Sequence, residues 1–134
     1  MLNLLNLYRT AERRNVAVEC FRLEGAPACS VELNGRCFVG IDPFQLKSTA
    51  DEKVKLAHEL GHCLQGGFYR RTSPFELRER CEVLADRWAM AQLMPLPDVQ
   101  AAMKEGCTEV WQLAERFGVT EEFVRTVLAV YFDK

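Results

Sequence analysis

The spacing of apolar and polar positions splits the chain into a strand-rich first third and a helical remainder. Residues 1–14, MLNLLNLYRTAERR, predict an amphipathic helix with Leu2, Leu5 and Tyr8 on its apolar side. Residues 16–21, VAVECF, are rich in branched and apolar side chains and read as a strand, broken at Gly25-Ala26-Pro27. Two further strand-like runs, 30–33 and 36–41, flank Asn34-Gly35. Asn-Gly between two such runs signals a hairpin, because a type I′ turn takes positive φ at both central positions. Asp42-Pro43 ends the second run. A small, mainly antiparallel sheet of about three strands is expected.

Helical periods take over next. Thr49, with Glu52 three residues on, reads as a capping box that starts a helix over 50–64. Leu56, Leu60 and Leu64 line its inner side, and Gly66-Gly67 ends it. Gly61 in mid-helix costs about 1 kcal/mol relative to Ala, which a neighbouring strand passing close by would explain. Ser73, Pro74 and Glu76 form a second start, for a helix reaching Leu93 and stopping before Pro95 and Pro97. Its expected buried stripe is Leu77, Cys81, Leu84, Trp88 and Ala91, which leaves Glu79, Glu82 and Asp86 on another face. The last segment reads as a helix over 108–117, a turn at Gly118-Val119, and a helix from N-cap Thr120 to Phe132. Leu113, Ala114, Phe117, Gly118, Val119, Val124 and Val127 follow a helix-turn-helix pattern. The expected division is a core over 1–105 and a helix-turn-helix-like segment over 106–134, packed on that core.

Composition narrows the class. With 134 residues the chain is long enough for one domain with a proper core. A net charge of −2 gives no general pull toward nucleic acid or an anionic membrane. No apolar run spans a bilayer, and no basic stretch precedes an apolar one as in an export signal, so a cytoplasmic protein is expected. The six cysteines show no CxxC pair and are expected to be reduced, behaving as small buried hydrophobes.

Both histidines of the chain lie in His58-Glu59-Leu60-Gly61-His62. Four residues apart on a helix, they can reach one metal ion, with Glu59 beside them to handle protons. A catalytic zinc takes three protein ligands and keeps a position open for water. With no third histidine, the last ligand must be a carboxylate or a thiolate. Glu82 is the best candidate, ahead of Glu79 and Cys81, because Asp86 one turn beyond it can accept a hydrogen bond from a ligand imidazole. The same acidic face beside Arg78, Arg80 and Arg87 is also compatible with plain solvation.

HELGH, then Glu82-Val83-Leu84-Ala85-Asp86-Arg87-Trp88-Ala89, then Leu93-Met94-Pro95 resembles the ImmA/IrrE family of intracellular zinc metallopeptidases. That family shows Glu-x-x-Ala-Asn-x-Phe-Ala running into Leu-Leu-Met-Pro; Asp86 and Trp88 depart from it. The resemblance, over most of residues 16–130, implies a zincin-like α+β fold and one zinc ion on His58, His62 and Glu82. It further implies Glu59 as catalytic acid/base, and a protein substrate, commonly a helix-turn-helix repressor. Zinc lowers the pKa of its bound water to about 7, and Glu59 takes that water's proton as it attacks a peptide carbonyl. The developing oxyanion needs a further partner, for which Tyr69, Arg70, Arg71 and Tyr131 are the candidates. The strand ending at Ile41 is a place where an extended substrate can pair. One alternative is a non-catalytic binding module with a structural or vestigial metal site, against which the retained Glu59 argues. Another is a DNA-binding regulator. Direct DNA binding is not expected, because Glu121-Glu122 occupy the end of the last helix that would meet phosphates.

Overall fold

Asn34 and Gly35 have φ of 52° and 80°, so the hairpin turn forms as its sequence requires. In the computed structural model, which describes residues 3–69 and 72–133, this turn joins β2 (Ala28–Leu33) to β3 (Arg36–Ile41) in antiparallel register. The first strand, β1 (Ala17–Cys20), pairs with β3 in parallel, giving the order β1-β3-β2. The sheet is thus half parallel rather than mainly antiparallel. The chain leaves β1, forms β2 at a distance, and the hairpin then folds β3 into the gap. As a result β3 is the central strand, and the expected substrate pairing along it is ruled out.

Helix α1 (Leu4–Arg13) is capped by Asn3, whose side chain accepts the Asn6 N–H at 2.9 Å. It buries Leu7 and Ala11, with Leu4 and Tyr8 partly covered, a stripe at i, i+3, i+4 and i+7. Leu5 is exposed, contrary to expectation, and Leu2 lies outside the described residues.

Helix α2 (Thr49–Gly61) begins one residue earlier than the sequence suggested. Ser48, not Thr49, is the N-cap and accepts from the Asp51 N–H, which frees Glu52 to accept from the Tyr8 hydroxyl. At its far end α2 widens into one turn of π-helix, His62–Gly66. Leu56 and Leu60 are fully buried and Leu64 partly so, against Val39 and Ile41 of the sheet. Lys53 is also buried, and its ammonium donates to the Phe117 carbonyl at 2.6 Å; burial pulls its pKa down.

Helix α3 (Phe75–Leu93) has Pro74 rather than Ser73 at its N-cap position. Its buried positions are Cys81, Ala85, Ala89, Met90 and Leu93, whereas Leu77, Leu84 and Ala91 are exposed and Trp88 is only partly covered. The expected stripe followed the largest apolar side chains, but α3 meets α2 along its smallest ones. A Cβ on Gly61 would lie 2.5 Å from the Ala85 carbonyl oxygen and 2.9 Å from its Cα. The close neighbour of Gly61 is therefore a helix, not a strand. Gly61→Ala gains helix propensity, yet it should lose about 1–3 kcal/mol net through overpacking against backbone that cannot yield. Urea denaturation would measure this; unchanged stability would mean the two helices tolerate separation.

Helix α3 stops at Leu93, before Pro95 and Pro97, as expected, and the two prolines then open a further helix. They sit at the N-cap and second position of α4 (Leu96–Lys104), where a missing N–H costs nothing, and α4 buries Val99 and Ala102. Helices α5 (Val110–Phe117) and α6 (Glu121–Phe132) are joined through Gly118, in the left-handed region at φ 65°, and Thr120, which caps α6. Six α-helices and a three-stranded sheet make up the mixed α+β fold of the described residues. Leu113, Phe117, Val124 and Val127 belong to the same buried cluster as Leu7, Leu56 and Leu93. No helix among the described residues is long and apolar enough to cross a membrane.

The expectation of six free thiols fails at one pair. Cys37 on β3 and Cys63 just past His62 form a disulfide, with their Cα atoms 5.8 Å apart. Packing of the π-turn beside the sheet creates this proximity, which the linear spacing does not show. Cys20, Cys29, Cys81 and Cys107 remain free.

Candidate metal centre

Two helices built from opposite kinds of contact bring the site together. Small residues let α3 approach α2, and the positions next to Cys81 and Ala85, namely Glu82 and Asp86, are turned toward the His-Glu-His face. The His58 and His62 rings meet edge to face, their centroids 4.8 Å apart. His58 Nε2 lies 3.0 Å from Glu82 Oε1, and His62 Nε2 lies 2.9 Å from Glu82 Oε2. One carboxylate thus faces both imidazoles. Ligand atoms of His58, His62 and Glu82 all fall within 4.8 Å of one another, so the three can hold a metal ion. Glu79 is exposed and Cys81 turns into the protein interior, so neither joins them.

The second nitrogen of each ring is anchored. His58 Nδ1 is 2.7 Å from Asp86 Oδ1, and His62 Nδ1 is 2.9 Å from the Gly67 carbonyl. Both partners are acceptors, so Nδ1 can donate to them, and Nε2 is left facing Glu82, itself an acceptor. The donor chemistry therefore suits a divalent ion that takes imidazole nitrogen and carboxylate oxygen. Burial pulls the His58 pKa down. The Asp86 hydrogen bond and the charges of Asp86, Glu59 and Glu82 outweigh it, and the pKa ends above the usual histidine value.

Glu59 lines the same cleft, and its Oε1 accepts from the Ser30 hydroxyl at 2.7 Å. Ser30 was not foreseen, since its partner is 29 residues away and nothing local marks it. The cleft, about 310 Å³, is bounded further by Cys29, Phe68 and Tyr69. Phe68 stacks near His62, with centroids 6.2 Å apart.

The expected oxyanion partners fare differently. Tyr69 is in the cleft, its hydroxyl donating to Glu82 Oε2 at 2.8 Å. That bond to a carboxylate, with some burial, raises the Tyr69 pKa. Tyr131 is elsewhere: its hydroxyl donates to the Met94 carbonyl at 2.7 Å, and it does not line the cleft. Arg70 and Arg71 lie outside the described residues. Arg78, one turn before Glu82, was expected only beside a solvated acidic face, not as a candidate oxyanion partner. Its guanidinium sits 5.8 Å from the Phe75 ring centre, its Nε is buried without a hydrogen-bond partner, and its charge acts on Tyr69.

Among known families, residues 44–128 match Peptidase_M78, the IrrE N-terminal-like domain. That range begins after the sheet, takes in α2 and α3 with every residue of the metal-capable group, and runs into α6. Comparison with curated proteins finds no match, and neither does comparison with solved structures.

Proposed function

The chain belongs to the Peptidase_M78 family of IrrE N-terminal-like domains, and on that footing we propose that it is a zinc-dependent endopeptidase. The observation that carries the reading is the meeting of two anchored imidazoles on Glu82, with the Glu59 carboxylate in the same cleft. His58, His62 and Glu82 would hold the ion, and Asp86 would orient His58. A divalent ion held there would supply Lewis acidity toward a peptide carbonyl and a water. Glu59 takes the proton of the attacking water and passes it to the leaving amine. Ser30 keeps the Glu59 side chain turned toward the cleft. Tyr69, its pKa raised, stays a phenol at neutral pH and can donate to the developing oxyanion.

Substrate pairing falls to β2 rather than β3. The Asp42 N–H bonds the Pro27 carbonyl, so along the antiparallel ladder Ala28, Ser30 and Glu32 turn their backbone groups to the free edge. An extended peptide there passes directly over Glu59. We place the substrate among regulatory proteins such as helix-turn-helix repressors and the enzyme in the cytoplasm; the free thiols Cys20, Cys29, Cys81 and Cys107 fit a reducing setting, and the Cys37–Cys63 disulfide counts against it. Residues 106–134 we take as a helix-turn-helix-like segment packed on the core, supported by the Lys53–Phe117 and Tyr131–Met94 bonds. We do not assign it DNA, since Glu121 and Glu122 open α6.

Incubation of the zinc-loaded chain with a proteome-derived peptide library, followed by mass spectrometry, tests the reading. New termini that depend on zinc and vanish on chelation are expected. Absence of cleavage at every zinc level would overturn it.

A further inference from the structure

The cleft at His58 and Glu59 opens into a longer groove. A second chamber of about 330 Å³ shares those two residues and is walled by Pro27, Ala28, Val54, Ala89 and Phe123. A third, of about 730 Å³, shares Pro27, Val54, Lys55, Asp86 and Phe123 with the second and reaches Ser48 on one side and Thr126 on the other. Three elements descend along it in step: α2 from His62 toward Ser48, β2 from Ser30 back to Pro27, and α3 from Glu82 to Met90. The wall opposite β2 in the lower part is α6, a helix the reaction itself does not use.

From this continuity we propose that the groove holds the substrate polypeptide on one side of the scissile bond. Its middle chamber accepts an apolar side chain, with Phe123 as the residue that sets the size accepted. The proposal rests on the peptidase reading and deepens it. From His58 to Ser48 is ten residues of helix, roughly 15 Å, the span of about four or five residues of extended chain. The occupant follows from the connection: the groove leads straight from the reactive cleft and starts beside the free β2 edge.

The middle chamber's chemistry defines the side chain. Ala28, Ala89 and Phe123 are buried apolar residues and Val54 is partly so. Two charged groups besides Glu59 border it, Lys55 and Asp86, and both are engaged, Lys55 with Asp51 and Asp86 with His58. An anionic substrate side chain would lose its water there beside Glu59 and Asp86, and a cationic one would have to compete for those carboxylates with Ser30 and His58. Further down, Lys47 and Lys55 stand against Asp51, Asp86 and Glu122, a near balance, so no strong charge preference is expected at that end.

Cleavage-site profiling of the zinc-loaded full chain on the same peptide library tests this. Wild type should favour Val, Leu or Ile at one position two or three residues from the cut, on one side only. Phe123→Ala, which enlarges the chamber, should move that preference toward Phe and Trp by about tenfold or more in relative kcat/KM, while Val54→Phe should move it toward Gly and Ala. Should Phe123→Ala fail to fold by circular dichroism, Val54→Phe decides alone. Wild-type cleavage with the same profile in the folded variants overturns the groove and leaves the peptidase reading standing. No cleavage by wild type overturns both.

Discussion

Glu59→Gln is expected to bind one zinc ion per chain, as wild type does, and to lose peptide hydrolysis by about 10²–10⁴-fold, the range for removing a positioned acid–base group. Glu59 is not in the group able to hold a metal, so its replacement leaves His58, His62 and Glu82 in place. Gln keeps the shape and can still meet the Ser30 hydroxyl across the 2.7 Å contact. What disappears is the ability to take a proton. Equal zinc content with cleavage only by wild type separates an enzyme from a binding module with a structural ion. If Glu59→Gln cleaves as fast as wild type, another group is the base and the assignment falls.

The periodic signals carried the element order well where one face of an element meets one kind of neighbour. Asn34-Gly35 placed the hairpin because the turn's backbone conformation is local. Gly118 and Thr120 placed the last turn for the same reason. The pairing partner of β1 was not legible, since a parallel neighbour depends on where the hairpin folds back. The inner face of α3 was misread because interior positions were taken to be the bulky ones. Ala85 and Ala89 lie inward, and their smallness is what admits Gly61. That shift by about one position is also what turns Glu82 and Asp86 to the histidines. Their ligand-like spacing was readable, as was the His-Glu-His turn. Ser30 joins the site through a contact between elements distant in the chain and leaves no local trace, while the Gly67 carbonyl, only five residues past His62, reaches its ring through the π-turn that the helical period does not show.

Glu82→Ala is expected to abolish stoichiometric zinc binding, a larger effect than replacing the supporting Asp86. The carboxylate faces both Nε2 atoms, at 3.0 and 2.9 Å, and two imidazoles alone leave the ion without its third protein ligand. Asp86→Ala, which only frees the far nitrogen of His58, should weaken binding by about 10–100-fold and still reach one ion per chain at saturation. Binding to the folded state alone adds about 2.7 kcal/mol of stability at a hundredfold excess over Kd, so zinc should raise the Tm of wild type and not that of Glu82→Ala. The pH dependence has a definite sign. The His58 pKa is raised: burial lowers it, but Asp86 and the neighbouring carboxylates win. In the metal-free chain this contributes stability that is full below the unfolded histidine pKa and is lost as pH rises through the folded value. Zinc must displace protons from its ligands, so its stabilisation runs the other way, failing as pH drops through that raised value and full above it. Melting curves with and without zinc should therefore converge on the acid side and separate on the alkaline side. A Tm increment from zinc that is the same across this range, or one that survives in Glu82→Ala, would place the ion elsewhere on the protein.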